Sequence, residues 1–363
     1  MRTSSLLASS LPPLYAPWID EALGGALPEE RHATCSACAM CKPTAAKAAT
    51  ASLTLFDPAT KCCTYVPTLP NFLVGLILND DDPAAVAGRT SVERRIAAGI
   101  GVTPLGLQSD PQYALIYKHA GGELFGRTPG LRCPHYLPAD GGQCGIWRYR
   151  NAVCATWFCK HERGRVGKRF WDALLQLLTL VERHLGLWAA GELGEPIDGL
   201  GPALLPYYAT MLPGPMSTWS QRWTGRPSEF YRESTRLVES LTWTQVRKIC
   251  GPELALVVGQ LGAAYGAMQT DEVPRYLRLG AVRSVARDDG NAAFTGYSSN
   301  DMVLLPKPLA DALERFDGRR LTDRVCAEIG GEVGASLDRA TVRRLIEFGV
   351  LVAMRTPEEN GRC

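Results

Sequence analysis

Twelve cysteines dominate the chemistry that this sequence can support, and nine of them lie in its first half. Four fall in the stretch CPHYLPADGGQCGIWRYRNAVCATWFCKH, three more form the upstream run CSACAMC, and an adjacent pair follows that run. Thiolates are soft ligands that select zinc, copper(I) or iron–sulfur clusters. The nine predicted metal ligands are Cys35, Cys38, Cys41, Cys62, Cys63, Cys133, Cys144, Cys154 and Cys159.

The spacing within CSACAMC favours a metal site. Two residues between cysteines let both side chains turn onto one ion or one cluster face, and this run does so twice. The same C-x2-C-x2-C pattern occurs in bacterial ferredoxin loops, but their fourth cysteine three residues later is missing here. Further ligands must therefore come from elsewhere. We expect folding to bring the upstream and central cysteine groups together as the two halves of one site.

The whole pattern resembles the YkgJ-like cysteine-cluster family, whose members are described as zinc- or iron-chelating. The resemblance covers about residues 31–163 and includes the three cysteines of CSACAMC, the pair Cys62-Cys63, Cys133 with Tyr136-Leu137, and Cys144-Gly145-Ile146-Trp147-Arg148 followed by Cys154 and Cys159. In the family the double cysteine closes the first run, whereas about twenty residues intervene here. Which of Cys41, Cys62 and Cys63 are ligands is therefore left open.

The resemblance implies metal binding more than a reaction. An iron–sulfur cluster of the [4Fe–4S] type is the favoured cofactor, in one or two copies, and Zn²⁺ is the alternative. The related flagellin lysine methylases keep a protein- or peptide-modifying enzyme open as the alternative function, beside a zinc-binding interaction protein. No P-loop, HExxH motif or nucleophile set points to a particular catalytic residue.

Charged residues around the central cysteines fit an anionic centre. Seven Lys or Arg and one acid lie between Arg148 and Arg169. A cluster held by four thiolates is negative, so a cationic surrounding stabilises it. The alternative is a solvated basic face. His135 and His161 flank cysteines and are expected to support the ligands more than to bind the metal.

The composition of the chain limits the class of protein to which these cysteines belong. The 363 residues are 46% hydrophobic and 21% charged, which predicts a soluble protein of two or three domains. A net charge of +2 makes nucleic acid an improbable partner. The longest apolar run, Leu69–Leu78, is too short for a membrane span, and Pro12-Pro13 interrupt any signal peptide. A cytoplasmic location is expected, where thiols stay reduced.

The predicted fold is mostly α, in the α+β class, with an irregular cysteine-rich metal-binding domain. We expect an N-terminal arm (1–30), the metal-binding domain (31–190), a linker and helical region (191–275), and a hairpin with a winged-helix-like domain (276–363). Apolar spacing predicts a long helix over 168–188. Three helices are predicted at 228–241, capped by Ser228, at 242–251, capped by Thr242 with Gln245, and at 252–268. The run before Asp80 is strand-like.

The C-terminal unit is predicted as a strand, three helices and a closing strand over residues 302–354. It resembles PqqD-like peptide-recognition proteins through its apolar pattern and the turn Phe316-Asp317-Gly318. From residue 300 onwards, ten Lys or Arg face eleven Asp or Glu, which argues against DNA binding. A peptide or protein partner, or a packing role against the metal domain, is expected instead.

Overall fold

The computed structural model describes residues 11–30, 35, 38–41, 55–196, 219–286, 290–334 and 337–354. Helices predominate and the strands form small antiparallel sheets, so the predicted α+β class is confirmed. Residues 1–10 of the predicted arm, His32, positions 197–218 of the linker, the 287–289 hairpin turn and Cys363 lie outside the described residues. Among the described helices, none has the length and apolar character that a membrane crossing requires.

The described residues divide into two compact units. Unit 1 contains those within 1–41, 55–157 and 172–262, and unit 2 contains those within 158–171 and 263–363. The helices up to the boundary of the second unit are α1 (Ala16–Leu23), α2 (Asn71–Asn79), α3 (Val86–Ala97), α4 (Pro111–Leu124), α5 (Ala152–Thr156), α6 (Gly164–Glu192), α7 (Pro227–Glu239), α8 (Trp243–Cys250) and α9 (Glu253–Gln269).

Helix α2 replaces the predicted strand-like segment. Only Leu69–Pro70 is extended, as strand β1, and it pairs with β3 (Gly106–Leu107), which also pairs with β2 (Val102–Thr103). The remaining apolar residues form a helix that is buried on nearly every side. A short run that is apolar all round carries no periodicity, so the sequence pattern could not separate a buried helix from a buried strand.

Gly75 allows α2 and α7 to pack closely. A Cβ atom at this position would lie 2.0 Å from the carbonyl oxygen of Tyr231 and 2.1 Å from Oγ1 of Thr235. The Thr235 hydroxyl also donates a hydrogen bond of 2.7 Å to the carbonyl of Phe72. The two backbones therefore approach through a gap that only glycine leaves open.

Gly75→Ala should consequently lower the free energy of unfolding by about 3 kcal/mol, because the overpacked core must shift a main-chain carbonyl. Denaturant-induced unfolding measures the loss. Gly259→Ala on α9 is the matched control, since a Cβ there meets nothing within 4 Å. Helix propensity predicts a gain of up to about 1 kcal/mol for that control. Equal unfolding midpoints for the two variants would contradict this packing argument.

The long helix and the capping box agree with the sequence predictions. Helix α6 covers the predicted 168–188 span. Seven apolar residues recur along it at three- and four-residue spacing, and each is at most 1% exposed: Phe170, Trp171, Leu174, Leu177, Leu178, Val181 and Leu185. Thr242 and Gln245 form both hydrogen bonds of the predicted box at the start of α8. The predicted Ser228 cap is wrong, because Pro227 already opens α7 and Arg226 occupies the cap position without a side-chain bond.

Unit 2 has two three-stranded antiparallel sheets. Its strands are β6 (Tyr276–Leu279), β7 (Arg283–Ala286), β8 (Asn291–Thr295), β9 (Val303–Pro306), β10 (Asp317–Leu321) and β11 (Leu351–Ala353), and its helices are α10 (Lys307–Ala312), α11 (Thr322–Val333) and α12 (Arg339–Glu347). One sheet has the order β7-β8-β9 and the other β10-β6-β11. The predicted helices and closing strand are present, while β10 was missed. This strand begins at Asp317, inside the predicted turn, and Gly318 within it has a φ of +80°.

Candidate metal centre

One cavity of unit 1 brings six of the nine predicted ligands together. It has a volume of about 320 Å³ and is lined by the thiols of Cys35, Cys62, Cys63, Cys133, Cys144 and Cys154. These residues come from both cysteine groups that the sequence analysis placed in one site. The cavity thus gathers thiols from positions that are up to about 120 residues apart in the chain.

Main-chain hydrogen bonds hold the cysteine-bearing segments in place. The amide of Cys133 donates to the carbonyl of Cys63 at 2.7 Å, which joins the early and late segments directly. Strands β4 (Tyr136–Leu137) and β5 (Gln143–Cys144) pair so that Tyr136 lies opposite Cys144. Asn151 caps α5 by accepting from the amide of Cys154 at 3.1 Å. The thiols therefore project from fixed backbone positions.

Burial keeps most of these thiols protonated. Desolvation raises the pKa of Cys133 and of Cys144 to about 12 and that of Cys35 to about 11. Cys62 and Cys63 are hydrogen-bonded to each other, which lowers the pKa of Cys62 and raises that of Cys63. Metals bind cysteine as thiolate, so a metal entering this cavity would displace protons.

Two buried cations lie beside the thiols. Arg150 is 5% exposed, donates to the carbonyl of Cys154 at 2.9 Å and stacks 3.4 Å from the centre of the Trp147 ring. Lys61 is 4% exposed, and its ammonium donates to the carbonyl oxygens of Cys35, Gly141 and Gly142. Burial dominates the high pKa of Cys35, while Arg150 and Lys61 act in the opposite direction. Their charges favour thiolate in the cavity.

Lys61 lies outside the stretch from Arg148 to Arg169 in which basic residues were expected to surround the site. The one indication in the sequence is that Lys61 directly precedes the adjacent cysteines Cys62 and Cys63. The prediction that basic residues surround an anionic centre is wrong for two of the seven, because each of these two pairs with an acid. Arg148 pairs with Asp80 and Asp82 at 3.4 and 3.3 Å, and Arg163 pairs with Glu347 within unit 2.

His135 lines the cavity but both of its ring nitrogens are already engaged. Nε2 lies 3.1 Å from the Arg95 guanidinium, which can only donate, so Nε2 accepts. Nδ1 then carries the proton and donates to Ser91 Oγ at 2.7 Å. Burial, with the charge of Arg95 second, lowers the pKa of this imidazole to about 3. His135 therefore supports the wall as a neutral ring and has no nitrogen left for a metal.

The other three predicted ligands lie outside this cavity lining. Cys38 and Cys41 share a tight turn, with the amide of Cys41 donating to the carbonyl of Cys38 at 3.1 Å. Burial, followed by the Cys38 thiol, raises the pKa of Cys41 to about 12. Cys159 belongs to unit 2, as does His161, whose amide donates to Asp301. Of the cysteines outside the predicted set, Cys250 is buried and Cys326 is partly buried against the core of unit 2.

Among the described residues, no three His, Cys, Asp or Glu side chains converge as the ligands of a single metal ion. The six thiols share a cavity without meeting at one point. Comparisons with family models, curated proteins and solved structures found no match. The resemblance to the YkgJ-like family therefore stays a prediction, and the site must be interpreted from its own chemistry.

A buried carboxyl group supports the helix that carries Cys154. Glu182 accepts from the amide of Ala152 at 2.6 Å, at the first turn of α5, and from the Tyr15 hydroxyl at 2.7 Å. Burial raises the pKa of Glu182 to about 8, although both hydrogen bonds act in the opposite direction. No local pattern indicates this role, since Glu182 is one acid in a long amphipathic helix.

The folded protein should therefore lose stability as the pH rises from about 6.5 to about 8. The folded state holds the Glu182 proton up to a pKa of about 8, whereas the unfolded chain releases it near 4.5. This contribution is complete below pH 4.5 and is lost as the pH approaches 8, with a slope of up to about 1.4 kcal/mol per pH unit. Denaturant unfolding at several pH values measures the slope.

Glu182→Gln should flatten this dependence, because the amide oxygen can accept both hydrogen bonds and carries no charge. Glu192→Gln, an exposed position on the same helix, should keep the wild-type slope. His135 and His161 have lowered pKa values and affect stability below about pH 6.5, outside this window. A slope that survives in Glu182→Gln would show that another group is responsible.

Proposed function

We propose that this chain is a metal-binding protein that holds an iron–sulfur cluster, most simply [4Fe–4S], in the cavity of unit 1. The observation that carries this proposal is the set of six thiols lining one cavity. Four of them suffice for one cluster. Cys35, Cys133, Cys144 and Cys154 are separated in sequence, and the adjacent Cys62 and Cys63 supply alternatives or a supporting thiol.

The donor set fits a cluster better than a single zinc ion. A structural zinc ion draws four ligands to one centre. A cluster contains several irons, each with its own thiolate, so its cysteine sulfurs stand further apart than those around one ion. Six cysteines around one cavity are more than the four ligands that one zinc ion takes, and a volume of about 320 Å³ leaves room for the several irons of a cluster. Zinc remains the alternative metal.

The charge around the cavity supports an anionic group. Arg150 and Lys61 are buried beside the thiols, and Lys61 donates to carbonyl oxygens and to no carboxylate of the described chain. A buried cation costs several kcal/mol unless an anion compensates it. When bound, a thiolate-ligated cluster supplies negative charge and one-electron redox chemistry. The residues of the chain hold it, shield it from water and set its electrostatic surroundings.

Location and partners extend the proposal. The cysteines of the described chain form no disulfide with one another, which supports a cytoplasmic location.

Unit 2 places α11 and α12 beside the sheet β10-β6-β11, and this arrangement supports a winged-helix-like unit. We propose that unit 2 contacts a peptide or protein partner, since its described residues carry mixed charge. A modifying enzyme that uses the cluster as a structural or redox group is the second candidate, favoured by the exposure of Trp157, which lines the cavity and is 40% exposed.

Anaerobic purification tests the metal assignment. The expected product is brown, absorbs at about 400 nm as thiolate-ligated clusters do, and contains iron and acid-labile sulfide in equal amounts. A colourless product that contains zinc would overturn the cluster in favour of the alternative metal. A product with neither metal, even after anaerobic reconstitution with iron and sulfide, would overturn the proposed function.

A further inference from the structure

The thiol cavity has a second, aromatic side. Besides the cysteines, five aromatic side chains line it: Tyr65, Tyr117, Phe125, Trp147 and Trp157. Phe125 and Trp157 meet edge to face with ring centres 5.0 Å apart, and Tyr65 and Tyr117 do so at 5.7 Å. Ligation of a metal needs none of these rings. Metal binding alone therefore does not account for five aromatic side chains around one cavity.

This aromatic side opens towards solvent. Trp157 is 40% exposed although it lines the cavity. A centre with a purely structural role is served best by a closed shell, because exclusion of water protects the cluster. Here the volume of about 320 Å³ falls in the range of small-molecule sites, about 300–1,000 Å³. The opening suits entry of a small molecule.

Two consecutive glycines keep the opening wide. Gly121 and Gly122 of α4 both line the cavity. Glycine inside a helix costs about 1 kcal/mol relative to alanine, so two consecutive glycines lower the stability of the helix. A Cβ on Gly122 would meet nothing within 4 Å, whereas one on Gly121 would lie 3.1 Å from the Tyr117 ring. Packing therefore does not require glycine at position 122, and the space beside it is free.

We propose that this cavity binds a small, planar aromatic molecule without negative charge against the thiol centre. Aromatic walls favour such a ring through edge-to-face and offset contacts. An anionic ligand would meet a negative centre; this part of the inference rests on the proposed function. The bound ring would lie between the aromatic wall and the thiols, which makes the centre a ligand-responsive one.

Indole is a suitable probe, and isothermal titration calorimetry of the anaerobically purified full chain tests the inference. Wild-type protein should bind indole, and Gly122→Phe should weaken binding by about tenfold or more, because its ring fills the opening. Ile116→Phe is the matched control: it lies on the same helix, is 47% exposed and does not line the cavity. This control should bind indole as the wild type does.

An anionic analogue tests the electrostatic part. Indole-3-acetate should bind at least about tenfold more weakly than indole. No heat with wild-type protein, or equal affinities of the two phenylalanine variants, would overturn the inference. Iron and sulfide are measured on the same samples. Indole binding by protein that holds no cluster would support this inference and refute the proposed function. A cluster in protein that does not bind indole would support the proposed function and refute this inference.

Discussion

Cys144→Ser is expected to lose most of its bound iron and the absorption band at about 400 nm that accompanies thiolate-ligated clusters. Cys144 lies in β5 and lines the cavity with Cys133 and Cys154. Serine nearly preserves the volume of the side chain but replaces a soft thiolate donor with a hydroxyl that stays protonated. Changes outside the ligand shell already cost about 10–100-fold in metal affinity, and loss of a ligand should cost at least as much.

Iron and sulfide content after anaerobic purification, with the visible spectrum, measures this effect. Cys133→Ser and Cys154→Ser should behave like Cys144→Ser. Cys326→Ser is the control, because Cys326 packs against the core of unit 2 and serine there adds no group to the cavity. Full iron content in all three cavity variants, or equal loss in the control, would argue that these thiols are not the ligands.

Lys61→Met should lower the free energy of unfolding by about 2–4 kcal/mol and weaken metal retention. The Lys61 ammonium donates to three carbonyl oxygens, those of Cys35, Gly141 and Gly142. Methionine fills a similar volume but leaves these acceptors without a donor, at about 1–3 kcal/mol for each one that stays buried. Relief of the desolvation of the ammonium offsets part of that cost. Metal retention falls because a positive charge beside the thiols is lost.

Lys118→Met is the matched control, since Lys118 is exposed on α4. Its unfolding midpoint and metal content should stay within error of the wild type, as surface substitutions usually do. Denaturant unfolding and iron analysis of the two variants separate the outcomes. A Lys61→Met protein as stable and as metal-rich as the control would mean that the three carbonyls find other donors and that the charge is dispensable.

Cysteine spacing predicted which segments would meet, and the cavity contains thiols from both predicted groups. The spacing could not separate Cys35 from Cys38 and Cys41, because two-residue intervals describe reach within a loop and not the direction of each side chain. Glu182 and Lys61 were missed for a related reason. A single charged residue looks like surface in a sequence, and only tertiary packing shows that it is buried.

The local count of basic residues misrepresented Arg148, because the acids that neutralise it are distant in the sequence. Its partners Asp80 and Asp82 lie more than sixty residues earlier in the chain, so a local count of basic residues could not include them. Helix α2 shows the same limit for apolar patterns. Its contact with α7 depends on Gly75, and no local feature of the run from Leu69 to Leu78 predicts that distant partner.

The hydrogen bond between Cys133 and Cys63 has a consequence for biosynthesis. About 90 residues separate Cys63 from Cys154, and translation at about 5–20 residues per second takes roughly 5–20 seconds to produce them. During that interval the early cysteines leave the ribosome without their later partners. An adjacent pair of thiols in this state is open to oxidation. The proposed cluster could be delivered only after synthesis of residue 154, and under this proposal cells that make the protein in air should yield more oxidised chains than cells grown without oxygen.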